Sequence, residues 1–254
     1  MTTKVMAGKV AEMGAAIGWG AVAASSLVIG AALSFARRWP PSQVGYVLAF
    51  GAGALISAVS FELAAEGIAI GGLGVTGAGL AVGALTYYLL DGLIAKRQAT
   101  GRGRKGRAEG SGSGTALALG AFLDGIPEQL VLGIGIAAGE GVGISLLVAI
   151  FVSNLPEALG SASDMSRSGR PREAILRLWL LVAVICAFAS LAGYLLADSA
   201  SGDARAAIDG FAAGALLVML IDSMIPDARD DAGRAAGLVT VLGFAVAAGL
   251  SSLS

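Results

Sequence analysis

The stretch Ala121–Gly133, A-F-L-D-G-I-P-E-Q-L-V-L-G, decides how this chain folds. A second stretch, Ala149–Leu159, A-I-F-V-S-N-L-P-E-A-L, repeats its design. Each places a proline and a carboxylate in the middle of a long apolar run. A charge at mid-bilayer costs about 2.5–3.5 kcal/mol on insertion scales and more by other measures, so it marks a functional position by default. A proline there lacks an N–H and frees the carbonyl four residues back, which needs another partner. Pro127 frees the carbonyl of Leu123 and Pro156 that of Val152. Two neighbouring segments that share this costly design point to one intramembrane polar site, and cations are its natural guests.

Working outward, the rest of the sequence agrees with a membrane setting. Hydrophobic residues make up 56% of the chain and charged residues 14%, against roughly 25% charged in soluble domains. A bilayer span needs about 20 apolar residues. The apolar runs place eight helices at about 13–36, 44–65, 70–95, 114–138, 142–165, 173–197, 206–226 and 233–253. The expected fold is therefore all-α: a polytopic membrane protein of eight transmembrane helices, with residues 1–254 as a single transmembrane domain. Lys4 and Lys9 precede the first apolar run as in a signal peptide. The run continues to Ala36 before Arg37 and Arg38 stop it, so it reads as a span.

The basic residues set an orientation. Of 17 Lys and Arg residues, all but Lys4, Lys9 and Arg205 fall in or beside the loops after helices 1, 3, 5 and 7. The positive-inside bias makes those loops cytoplasmic and both termini external. The expected location is the cell (inner) membrane. Residues 98–113, Q-A-T-G-R-G-R-K-G-R-A-E-G-S-G-S, are Gly/Ser-rich and basic and read as a flexible cytoplasmic loop between helices 3 and 4. Basic residues confined to connecting loops argue against nucleic acid as a partner. The single cysteine, Cys186, cannot form an intrachain disulfide. Histidine is absent, which removes the commonest transition-metal ligand.

An internal repeat is also present. F-G-A-G-A-L at Phe50–Leu55 is matched by F-A-A-G-A-L at Phe211–Leu216, and Glu66 and Asp227 follow at equal offsets. Helices 1–3 would mirror helices 6–8 around a central 4–5 pair. Inverted repeats of this kind mark secondary transporters, with the site near midplane.

On helix 4, Asp124 and Glu128 are four residues apart and share a face. On helix 5, Ser153, Asn154, Glu157, Ser161 and Asp164 form one broad polar face. Together with the freed carbonyls these groups offer an oxygen-rich cage for a divalent cation. The bland alternative, buried acids that only fix helix packing, is weaker for two P-E motifs on adjacent helices. For Ser153 and Ser161, hydrogen bonding between helices is the simpler role.

These motifs resemble those of the Zrt/Irt-like (ZIP) divalent metal transporters, over essentially the whole chain. The resemblance implies eight helices, both ends outside, a variable loop between helices 3 and 4, and a 3+2+3 inverted repeat. In that family helix 4 carries a pattern like H-N-x-P-E-G or H-N-x-x-D-G, and helix 5 one like H-E-x-P-E-G or Q-D-x-P-E-G. Aligned on the P-E pairs, Asp124 stands at the helix-4 histidine, Gly125 at the asparagine and Glu128 at the acid. Ser153, Asn154 and Glu157 stand at the helix-5 ligand positions. On helix 2, E-L-A-A-E-G at Glu62–Gly67 places Glu62 at the family's histidine and Glu66 at its acid, and I-P-D-A at Ile225–Ala228 matches the end of helix 7. Every histidine of the pattern is replaced here, and Gly125 supplies no side chain.

The implied activity is transport of a divalent metal cation, zinc, manganese or iron, by Asp124, Glu128, Asn154, Glu157, Ser153 and Glu62. Glu62 and Glu66 would gather ions outside, and Asp164, Asp222 and Asp227 would mark the cytoplasmic exit. The metal is substrate, and no prosthetic group is expected. The expected partners are that ion, the lipid bilayer and a second copy in a homodimer. Two other transport readings stay open: a proton-coupled carrier of another small cationic solute, and a ZIP-like protein that has lost metal transport. An intramembrane enzyme is not expected, since neither a Ser/His pair nor H-E-x-x-H is present.

Overall fold

The computed structural model describes residues 2–102, 113–137, 143–200 and 202–252, without the side chains of 2–7, 94–95, 97–102 and 113–124. Among the described residues every regular element is helical. Helix α1 runs Thr2–Leu33 and α2 Pro41–Ala58, entered through Pro40 and with a proline in its first turn, where a missing N–H costs nothing. A π turn, Val59–Ala64, joins α2 to α3, Ala65–Arg102. Then come α4 (Ser113–Ala137), α5 (Ile144–Arg167), α6 (Arg172–Asp198) and α7 (Asp203–Met219). A second π turn, Leu220–Met224, leads into α8 (Ile225–Ala232), and α9 is Ala235–Ser251.

Among the described residues five stretches are long and apolar enough to cross a membrane: Gly8–Leu33, Pro41–Leu93, Ile144–Arg167, Arg172–Asp198 and Asp203–Ala232. The molecule is a polytopic membrane protein. The stretch Pro41–Leu93 has 53 residues. A straight helix of that length would reach about 80 Å, far beyond a hydrocarbon core of about 30 Å. Gly72 breaks it, with φ 77° and ψ 168°, a conformation that glycine reaches without a Cβ penalty. The boundary expected between 65 and 70 therefore lies at Gly72.

Other limits differ from expectation for local reasons. α1 is already helical at Thr2 rather than at 13, and its polar first turns are held by the end of α6. Lys9 Nζ donates to Asp198 Oδ2 at 2.8 Å, and the Tyr194 hydroxyl to Glu12 Oε2 at 2.7 Å. Pro226 was expected to end a helix, but it sits in the first turn of α8, and the chain stays helical to Ala232. In the expected loop 98–113, the first five residues continue α3 and Ser113 opens α4, while 103–112 lie outside the described residues.

The helices pack in two sets. In one, α6 packs on α1 and α4, and α5 on α1 and α4; in the other, α3 packs on α7, and α2 on α8 and α9. The sets meet mainly where α2 lies against α5, and also where α4 meets α7. Glycines set the closest crossings. A Cβ added at Gly53 would strike the carbonyl of Thr240, and one at Gly243 that of Phe50. The α3–α7 crossing has the same construction: Gly214 faces the carbonyl of Leu80, and Gly83 that of Phe211. The two halves of the sequence repeat thus make equivalent contacts. Each also enters a π turn nine residues after its phenylalanine, at Val59 after Phe50 and at Leu220 after Phe211.

Candidate metal site

α4 and α5 pack against each other, and both stay helical through their prolines, Pro127 and Pro156. At that level Ser153 Oγ lies 3.1 Å from Glu128 Oε1, to which it can donate, and 3.0 Å from the carbonyl of Ile150. Glu128 is 1% exposed, Ser153 0% and Asn154 1%. Both polar atoms of the Asn154 side chain are buried without a hydrogen-bond partner. A buried amide in that state costs about 1–3 kcal/mol, which makes it a ready donor of oxygen to a guest. Glu157 is half-buried on the same helix.

The third wall is α2. A Cβ on Gly51 would sit 3.0 Å from Ser153 Cα and 3.3 Å from Ser153 Cβ, so the absence of a side chain at Gly51 lets α2 lie close to the site without displacing α5. α6 closes the far side of α4, where a Cβ on Gly125 would lie 3.1 Å from the buried Cys186 Sγ.

The six residues expected to bind metal do not all meet. Glu128 and Ser153 are brought together, with Asn154 next along α5. Glu62 sits elsewhere, in the first π turn, and accepts a hydrogen bond from Ser145 Oγ at the start of α5. Ser145 and Ser153 are eight residues apart, about 12 Å along the helix. The acids therefore lie in two tiers. Asp124 is placed on α4 by its backbone, and its side chain lies outside the described residues. Among the described residues no group of three or more Asp, Glu and Cys side chains could by itself hold a metal. Asp164 pairs with Arg167 at 3.0 Å at the end of α5, and Asp222 and Asp227 are exposed.

Sequence reasoning missed several polar groups. Gln129 follows Glu128, is 0% exposed, and its amide has no hydrogen-bond partner; an amide in an apolar run was its signal. Ser145 gave none, because a serine near a helix start is commonplace. Arg205, read as a loop residue, is only 13% exposed in its side chain. It lies 3.6 Å from Glu66 and 3.9 Å from the buried Asp209, and donates to the carbonyl of Ile134 at 3.4 Å. Its spacing of four from Asp209 on one helix was the available clue.

A family model, the ZIP zinc transporter, matches residues 95–251. That is more than half of the chain. The chain belongs to the ZIP family. Comparison with curated proteins finds no match. As ZIP proteins move divalent metal ions as substrates, membership points to metal-ion transport across a membrane. The matched span contains α4 and α5 with both P-E motifs, whereas Glu62 and Gly51 precede it. This ZIP protein has no histidine at all. Every side-chain group at its α4–α5 level, Glu128, Ser153, Asn154 and Glu157, is an oxygen donor or an amide.

Proposed function

We propose that this ZIP protein carries a divalent metal cation through a midplane site where α4 meets α5. The observation that supports the reading best is the buried Glu128–Ser153 hydrogen bond between the two proline-bearing helices, beside the unpartnered amide of Asn154. Asp124, Glu128, Asn154 and Glu157 are the proposed ligands, with Ser153 at their centre. Glu62, held by Ser145 at the other tier, would receive the ion first. With the termini outside and the protein in the cell (inner) membrane, Glu62 lies on the external side of Glu128. A site of hard oxygen donors admits Mn²⁺ and Fe²⁺ on better terms against Zn²⁺ than a histidine site does.

The test is uptake of Mn²⁺, Fe²⁺ and Zn²⁺ into vesicles holding the full chain, with Glu128→Ala beside it. Uptake of at least one metal by wild type, and its loss in Glu128→Ala, is the expected result. Equal uptake by both proteins would remove the site from the path. A proton flux without metal uptake by wild type would move the reading to a proton-coupled carrier of another solute.

A further inference from the structure

α3, α4, α6 and α7 wall a cavity of about 730 Å³, well away in character from the polar site. Every residue lining it is apolar. It exists because its walls are built small: α3 lines it with Gly74, Ala78 and Gly79 and α7 with Ala207 and Ala212, while α4 contributes Pro127. Water does not fill such a space, because a buried water needs two to four polar partners and the lining side chains offer none. Its rim is continuous with the lipid-facing surface. Val82 is 56% exposed, Leu196 57% and Phe211 37%, and all three lie in stretches long and apolar enough to cross the membrane. The medium at the mouth is therefore hydrocarbon. The volume falls in the roughly 300–1,000 Å³ range that takes a small organic ligand.

We propose that this cavity is a binding site for one acyl chain of a bilayer phospholipid. The chain lies in the space between the close-packed α3–α7 pair and α4, against Pro127. Pro127 immediately precedes Glu128, so the bound chain supports the wall behind the polar site. Recognition is through methylene contacts alone, and the headgroup stays in the interface without selecting the lipid. The proposal stands whether or not the protein transports metal.

The experiment uses the full chain, reconstituted in nanodiscs of phosphatidylethanolamine or phosphatidylglycerol with identical acyl chains. The protein is then extracted in mild detergent and weighed by native mass spectrometry. Wild type should keep one phospholipid per chain from either lipid. The double variant Gly74→Leu, Ala78→Phe fills the cavity; a Cβ at Gly74 meets nothing within 4 Å, so the added groups enter open space. It should lower the retained fraction roughly tenfold or more, because the added side chains take the volume and the close packing contacts that would hold the acyl chain. Leu238→Phe, on α9 at a position 78% exposed, should retain lipid as wild type does. If the double variant does not run as a folded species, Val82→Trp narrows the mouth from a lipid-facing position and should lower retention in the same direction. A wild type that keeps no lipid, or filled variants that keep as much, overturns the proposal. So does retention of one headgroup only, which would indicate a headgroup site. A wild-type dimer that the filled variants break without changing lipid retention would make the cavity an interface between copies instead.

Discussion

Ser153→Ala separates two roles for the residue at the centre of the site. Its hydroxyl has one proton and two acceptors in range, Glu128 Oε1 at 3.1 Å and the Ile150 carbonyl at 3.0 Å. Only one can be served at a time. The carboxylate is the stronger acceptor, and a buried hydrogen bond to a charged group is worth about 1.5–3 kcal/mol. If Ser153 holds Glu128 in position for the cation, that energy becomes a loss of roughly 10–100-fold in metal affinity, the usual cost of removing a group that orients a ligand. The fold should survive, because alanine keeps the backbone and Cβ that lie against Gly51 and removes only the hydroxyl. Metal binding to purified protein by titration calorimetry, and KM in proteoliposomes, should weaken together while kcat stays within about twofold. Glu128→Gln keeps an acceptor for the hydroxyl and removes the charge; it should lose binding altogether. A Ser153→Ala protein with unchanged affinity, beside a dead Glu128→Gln, would refute the orienting role.

Further outcomes are expected elsewhere. Asp124→His should shift metal preference toward Zn²⁺ in mixed-metal uptake, and an unchanged order would take Asp124 out of contact with the ion. A C-terminal tag should be reachable by antibody on intact cells, from the positive-inside bias; protection until permeabilisation would reverse the topology. Arg205→Gln leaves Asp209, 1% exposed, without its counter-charge and should cost about 3 kcal/mol or more in detergent unfolding, with Asp209→Asn recovering most of it. Gly83→Val and Gly243→Val, each facing a backbone carbonyl at an equivalent crossing, should destabilise by similar amounts, at least about 1–3 kcal/mol each, and a large inequality would break the equivalence of the two halves.

What the sequence makes legible follows from where chemistry is expensive. Pro127, Glu128, Pro156 and Glu157 stand out because nothing cheap explains them in an apolar run. The repeat of Phe50–Leu55 in Phe211–Leu216 is visible because close crossings demand a glycine at a fixed place: Gly53 and Gly214 each face a carbonyl that any Cβ would strike. The break at Gly72 is harder to read, since the chain holds 39 glycines and, among the described residues, only four glycines have positive φ. The π turns are invisible, because V-S-F-E-L-A and L-I-D-S-M suit an ordinary helix equally well. Arg205 is misread for a different reason. The expected helix bounds of 206–226 leave it one residue outside, in a loop, while its burial depends on Glu66 arriving from α3 and on Asp209 one turn along its own helix.

The crossings around the site constrain its chemistry. Gly51 brings α2 onto Ser153, and Gly30 brings α1 onto the carbonyl of Leu155, just before Pro156. Gly133 and Gly193 lock α4 to α6 through the carbonyls of Ser190 and Leu130. On these faces both proline-bearing helices are held to their neighbours by backbone lying close on backbone, with no bulky side chain to retract. A contact of this kind has little give, because a crossing built on glycine cannot accept even one added methyl without moving a helix. Under the proposed function, selectivity then comes from the few polar groups of the α4–α5 level. In a chain without histidine those are the carboxylates of Glu128 and Glu157, the hydroxyl of Ser153 and the amide of Asn154. A change of charge or donor type at one of these positions should alter metal choice with the helices left in place, whereas a change of size at any of the four glycines should cost the fold before it alters the choice.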